Sequence, residues 1–176
     1  MSAIFHAGIS GARGRMGRAV SQVLDARSDV VVSARFDWGE TADLSLCDVI
    51  IDFSTPAASV ALAQGAAERG GPALVIGSTG FTDEQEADLM KAAEKVAIVK
   101  SGNFSLGVNI LIGLVEHAAM RLDAADWDIE IVEAHHRMKV DAPSGTALML
   151  GEAAAEGRGA TLDALRTPAR EGDTGA

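Results

Sequence analysis

Between residues 3 and 104 the sequence alternates short apolar runs with longer helical patterns, and no other feature constrains the fold as strongly. Apolar runs at 3–9, 30–34, 48–53, 73–76 and 96–99 read as five strands. The third is wholly apolar between Asp48 and Asp52, as expected of a strand covered on both faces. After the first run comes a glycine-rich turn, residues 11–17, and then a helical pattern to about Ala26 with Met16, Val20, Val23 and Leu24 at helical spacing. A second helix starts at Ser54-Thr55-Pro56, with a hydroxyl N-cap and proline in the first turn, and stops at Gly70-Gly71-Pro72. Thr82 and Gln85, three apart, form a capping box that opens a third helix to about Lys95. Strands joined through helices by short connections predict an open parallel sheet with helices on both faces, a Rossmann-like α/β domain over residues 1–105.

Within that domain the turn at Gly11, Ala12, Arg13, Gly14, Arg15, Met16 and Gly17 has the spacing GxxGxxG. Asp37 follows 20 residues after Gly17, at the end of the second strand. Glycines let backbone approach a pyrophosphate at the helix N-terminus, and a carboxylate at that distance meets ribose hydroxyls. The spacing is not GxGxxG, and a glycine turn that serves the fold alone remains the other reading. Further loops at strand ends, 53–55, Gly77-Ser78-Thr79-Gly80 and Ser101-Gly102-Asn103-Phe104, would line one crevice beyond the sheet.

Residues 106–176 read as a second α+β domain for substrate binding and oligomerisation, C-terminally incomplete. A helix over 106–122, apolar on most sides, is expected to be buried, and a strand is expected over 127–132. A helix over 144–156 follows, ended by Gly157-Arg158-Gly159, and the last 17 residues, 160–176, are polar and end without a terminal strand or helix. His6 and His117 read as packed or surface histidines.

Residues 133–146, Glu-Ala-His-His-Arg-Met-Lys-Val-Asp-Ala-Pro-Ser-Gly-Thr, concentrate acid/base groups beside a predicted helix N-terminus. Histidine titrates near neutrality and lysine carries a transferable proton, so His135 and Lys139 suit proton transfer next to a bound carboxylate. A solvated basic strand end is the plainer alternative. A metal is not expected: adjacent His135 and His136 on a strand point to opposite faces, and no third ligand lies nearby.

The formal charge of −10 argues against nucleic acid or an anionic membrane as partner. No apolar run approaches the ~20 residues that span a bilayer. The lone Cys47 excludes an intrachain disulfide. With no signal-like N-terminal segment, the cytoplasm is the expected location.

The 133–147 segment resembles the signature of the 4-hydroxy-tetrahydrodipicolinate (dihydrodipicolinate) reductases of lysine and diaminopimelate synthesis. The 11–17 turn, Ile76-Gly-Ser-Thr-Gly-Phe81 and Asn103-Phe-Ser-Leu-Gly-Val-Asn109 are similar to that family's nucleotide-domain motifs. The resemblance implies His135 as acid/base group, Lys139 as proton donor, and His136, Gly145 and Thr146 as substrate-binding residues. It implies a nicotinamide dinucleotide held by Gly11, Ala12, Arg13, Gly14, Arg15, Met16, Asp37, Gly77, Ser78, Thr79, Ser101, Gly102, Asn103 and Phe104. The implied substrate is a small cyclic dicarboxylate, reduced by NADH or NADPH with loss of water. Trp38 stands where some members carry an arginine suited to the 2′-phosphate of NADPH, so NADH is favoured. Members continue for several dozen residues past a segment like 170–175. The resemblance therefore also leaves open a truncated, catalytically impaired dinucleotide-binding homologue, and implies a homotetramer only if that part is present.

Overall fold

A computed structural model describes residues 4–137, 139 and 142–167. The predicted strand start at Ala3, the motif at 170–175, and Met138, Val140 and Asp141 lie outside the described residues. The chain divides into two compact units, Met1–Gly102 and Asn103–Ala176.

In the first unit the order is β1 (Phe5–Ser10), α1 (Arg15–Asp25), β2 (Val30–Phe36), β3 (Val49–Asp52), α2 (Pro56–Arg69), β4 (Ala73–Ile76), α3 (Asp83–Ala93) and β5 (Ile98–Lys100). All neighbouring strands are parallel, in the order β2-β1-β3-β4-β5. The chain therefore winds outward from β1 in one direction and from β3 in the other. With right-handed crossovers, α1 covers one face while α2 and α3 cover the opposite one. The point of reversal lies between β1 and β3, where open α/β sheets hold ligands beyond the strands' carboxyl ends. One link departs from the strand–helix alternation: residues 37–48 cross from β2 to β3 with neither helix nor strand. Parallel pairing requires only a connection of about this length, not a helix.

The helix boundaries follow from local chemistry. Thr55 accepts the Ala58 N–H, Pro56 takes the first helical position where its missing N–H costs nothing, and Gly70 closes α2 at φ 76°. Thr82 and Gln85 satisfy each other's backbone N–H groups at the start of α3. Ile50, Leu74 and Ile76 are fully buried on the central strands, with Ala63, Ala66, Leu89 and Ala92 from α2 and α3 over them; Ile9, in register with Ile51, is fully buried on the other face of the sheet. Cutting one of those large side chains to alanine removes about 2–5 kcal/mol. The buried Cys47 thiol is pushed above its ordinary value by burial first and then by Asp48 and Asp43, the opposite of what a nucleophilic thiolate requires.

The second unit contains α4 (Leu106–Ala119), α5 (Gly145–Gly157) and α6 (Leu162–Leu165). Helix α4 packs on α5 at its C-terminal end, where a Cβ on Gly157 would lie 2.4 Å from the Glu116 carbonyl oxygen. Three features differ from the sequence reading. First, α4 is not interior: Leu106, Ile110 and Leu114 are 77%, 56% and 61% exposed, because its contact with α5 covers one side only. Second, residues 127–132 form no strand, since no described segment pairs with them; Ile129, Ile131 and Val132 remain exposed. Third, the region after α5 contains the short helix α6, whose Leu162 packs on Gly151, where any side chain would meet Leu162 Cδ1 at 2.9 Å.

At the carboxyl end of β3, Asp52 is completely buried. It accepts hydrogen bonds from the Ser54 and Ser59 hydroxyls, and Ser59 also bonds Ser78 Oγ at 3.0 Å. A buried acceptor shared by two hydroxyls is costly to remove because its partners lose their bond inside the protein. Asp52→Ala is expected to lower the unfolding free energy by about 2 kcal/mol, read from the urea midpoint; an unchanged midpoint would show that the network contributes nothing.

Candidate active site

In the first unit the loops after β1, β3 and β4 converge on the backbone and ring of Phe53. Gly11, at φ +72°, lies so close that a Cβ there would be 2.5 Å from the Phe53 carbonyl oxygen. A Cβ on Gly77 would be 2.1 Å from the Phe53 ring. The turn is drawn in by Gly11 N–H and Ala12 N–H, which both donate to the Phe36 carbonyl. Gly14 is the N-cap of α1 and has no side chain to close the cap, so the first-turn N–H groups of Arg15, Met16 and Gly17 point out of the helix start. Arg13, Gly14, Arg15 and Met16 are all exposed there. Such a cradle fits a pyrophosphate: bare glycine backbone, outward N–H groups and the positive end of a helix dipole.

Asp37 accepts from the Arg13 backbone N–H at 3.2 Å and lies 3.6 Å from its Nε. The same guanidinium pairs with Glu40, whose other carboxylate oxygen accepts the Asp37 N–H at 2.9 Å. That N–H and Arg13 hold the Glu40 carboxyl below its ordinary value. Ser78 is 8% exposed with its hydroxyl in the Asp52 network, so any binding role falls to its backbone. The Ser101 N–H is spent on the Ile76 carbonyl.

In the second unit the acid/base segment is tied to the start of α5. Ser144 is that helix's N-cap, accepting the Ala147 N–H at 3.1 Å. Glu133 in turn accepts the Ser144 N–H at 2.9 Å and the Ser144 hydroxyl, and its carboxylate lies 3.7 Å from His135 Nδ1. These bonds from Ser144, followed by the charges of His135 and Lys139, hold the Glu133 carboxyl below its ordinary value. Lys139 N–H donates to the His136 carbonyl at 3.1 Å, which brings the lysine's backbone beside His136. Gly145 and Thr146 form the first turn of α5, and Thr146 Oγ1 accepts from Asn103 Nδ2 at 3.0 Å. Asn103, expected at the nucleotide, therefore stands beside a residue expected at the substrate. Phe104 is half exposed next to it.

Three contributors were not read as site residues: Glu133, Glu40 and Asp52. Glu133 had a usable signal, since residues two apart in an alternating run share a face with each other. Glu40 and Asp52 had little, because besides a near neighbour each meets a partner 27 or 7 residues distant along the chain.

A parallel sheet with a glycine cradle at its reversal point, followed by a unit whose basic turn abuts a helix start, defines the class of two-domain, dinucleotide-dependent oxidoreductases. The chain matches the family description "Dihydrodipicolinate reductase, N-terminus" over residues 5–104 and "Dihydrodipicolinate reductase, C-terminus" over residues 107–174. It is 60% identical to the 4-hydroxy-tetrahydrodipicolinate reductase of Caulobacter vibrioides, over 95% of this chain and 68% of that protein. The reductase of Roseobacter denitrificans is 45% identical, over 96% of this chain and 70% of its own length. Among solved structures, a dipicolinate-bound dihydrodipicolinate reductase from Paenisporosarcina sp. TG-14 matches with a TM-score of 0.70 at 27% identity, covering 88% of this chain and 67% of that one. The chain belongs to the dihydrodipicolinate reductase family. It spans roughly two thirds of the length of these relatives.

The folded state favours the anion of Glu133, so its contribution is in force above the ordinary value of 4.5 and fades as pH falls through its lower folded value. The difference in urea midpoint between the wild type and Glu133→Gln is expected to be level above about pH 6 and to shrink steadily below about pH 4.5. A difference that does not change with pH would remove the charge from this account.

Proposed function

We propose that this chain carries the family's reaction, reduction of 4-hydroxy-tetrahydrodipicolinate to tetrahydrodipicolinate by a nicotinamide dinucleotide, with the residues of 133–146 performing the proton chemistry. The observation that supports it most is the Glu133 bridge, which joins the His135 turn to the N-terminus of α5. A carboxylated substrate needs an anion-binding helix start and a proton source close together, and this bridge brings them together.

Gly145 and Thr146 would grip a substrate carboxylate with first-turn N–H groups and the Thr146 hydroxyl. The bond from Asn103 occupies a lone pair of that hydroxyl, which leaves its O–H to donate. His136 would support the same grip. The dinucleotide, when bound, supplies the hydride. Adding hydride to a conjugated imine builds negative charge on the ring; Lys139 would stabilise that charge and then deliver a proton, with His135 as its acid/base partner. Gly11, Gly14, Arg15 and Met16 would hold the pyrophosphate, Asp37 the adenosine ribose, and Gly77, Thr79, Gly102 and Phe104 the nicotinamide half. NADH is the expected partner over NADPH, because Asp37 bonds ribose hydroxyls and repels a 2′-phosphate. The site lies among the family's soluble biosynthetic chemistry, for which the cytoplasm is the expected place; no described helix is long and apolar enough to cross a membrane. A homotetramer, as the resemblance implies, is the expected assembly if the C-terminal part that family members carry is present.

Lys139→Ala is expected to lower kcat by about 10²–10⁴-fold while NADH binding, followed by nucleotide fluorescence, stays within twofold of wild type. A variant with undiminished turnover would take the proton-donor role from Lys139.

A further inference from the structure

The turn after β2 carries a side chain, Glu40, to which no binding role falls. Asp37-Trp38-Gly39-Glu40 closes with the Glu40 N–H donating to the Asp37 carbonyl at 3.0 Å, and Gly39 takes the left-handed φ of +84° that this type of turn requires. The Glu40 side chain folds back to accept the Asp37 N–H at 2.9 Å. That contact fixes the carboxylate beside Asp37, on the side of the turn where Arg13 lies. Arg13 is thereby held between two carboxylates, Asp37 and Glu40. The three side chains together carry one net negative charge.

Arg13 belongs to the glycine turn and is the cation of this cluster. Released, its guanidinium could pair with a phosphate monoester through two parallel hydrogen bonds. Held by Glu40, it is already paired, and the remaining charge opposes a second anion. We propose that Glu40 is a specificity-determining residue: by holding Arg13 against the Asp37 turn, it withholds the arginine from the 2′-phosphate of NADPH and sets a preference for the 2′-hydroxyl of NADH. The inference rests on the reading that the 11–17 turn and Asp37 bind the adenosine half of a nicotinamide dinucleotide. It differs from the repulsion assigned to Asp37, because Glu40 acts through Arg13 and touches no part of the cofactor itself.

The Arg13–Glu40 pair is exposed, with side chains 72% and 39% accessible, so the effect is a modest one. Substitution by glutamine is the informative change: its amide oxygen still accepts the Asp37 N–H and preserves the turn, while the charge that holds Arg13 is lost. The experiment measures dissociation constants for NADH and NADPH by nucleotide fluorescence, and kcat/KM with each, for wild type, Glu40→Gln, Arg13→Ala and the double variant. Glu40→Gln is expected to move the NADPH-to-NADH affinity ratio about twofold to fivefold toward NADPH, chiefly through NADPH. That gain is expected to vanish when Arg13 is alanine and to shrink as salt screens the cluster. A ratio that stays put in Glu40→Gln, or that moves equally with and without Arg13, overturns the role of Glu40. A wild-type chain that binds neither nucleotide overturns the dinucleotide reading itself, and this inference with it. Thermal unfolding of each variant, expected within about 2 °C of wild type, separates a change of preference from a loss of fold.

Discussion

The helix start of α1 lies against the chain that leads into it so closely that a Cβ at Gly17 would sit 2.1 Å from the Gly11 carbonyl oxygen and 2.7 Å from the Ala12 Cα. Those atoms are backbone and cannot rotate aside, so the approach exists only because Gly17 carries no side chain. Everything assigned to the nucleotide follows from it. The turn can then fold back on Phe53, both Gly11 and Ala12 can donate to the Phe36 carbonyl, and the end of β2 is fixed beside the turn, with Asp37 in reach of Arg13. A bulkier turn would move the first N–H groups of α1 away from the crevice and Arg13 away from its carboxylates together.

The second unit solves a similar problem with a side chain in place of glycines. Its helix start is organised by Ser144, and Ser144 by Glu133, so the cap and the histidine turn are held by one carboxylate. Both units therefore present the same physics that would suit an anion, first-turn N–H groups at a helix N-terminus, but they shape it differently. In the first, backbone is left bare for a long ligand to lie along. In the second, acid/base groups crowd the helix start, as suits a small reacting molecule.

Much of this was legible in the residues. The helix starts were readable because hydroxyl caps, the proline at the head of α2 and the Thr82–Gln85 box are local signals, and the structure places each where its chemistry predicts. The central strands were readable because an unbroken apolar run such as 49–51 has few other places to go. The helix-free crossing at 37–48 was not legible, since nothing local distinguishes a long loop from a poor helix. The apolar pattern of α4 was legible, but burial was not, because pattern records what a helix could bury rather than what lies beside it. The same holds for the alternation at 127–132, which needs a neighbouring strand to become a sheet. Side-chain bridges such as Arg13–Glu40 and Asn103–Thr146 depend on tertiary placement and left no local mark.

The strand order has a further consequence for local opening. Interior strands β1, β3 and β4 have partners on both sides and carry the completely buried Ile9, Ile50 and Ile76, whereas β2 and β5 are edges with half-covered residues. Amide protons of the interior strands should exchange only through near-global unfolding, while those of the edges escape through smaller fluctuations. The glycine turn after β1 and the Gly77 loop after β4 leave from interior strands and inherit their stiffness, whereas the 101–104 loop follows the edge strand β5. The turn after β2 that carries Asp37 leaves from an edge, so the recognition of the ribose proposed for it would be mounted on the more yielding support.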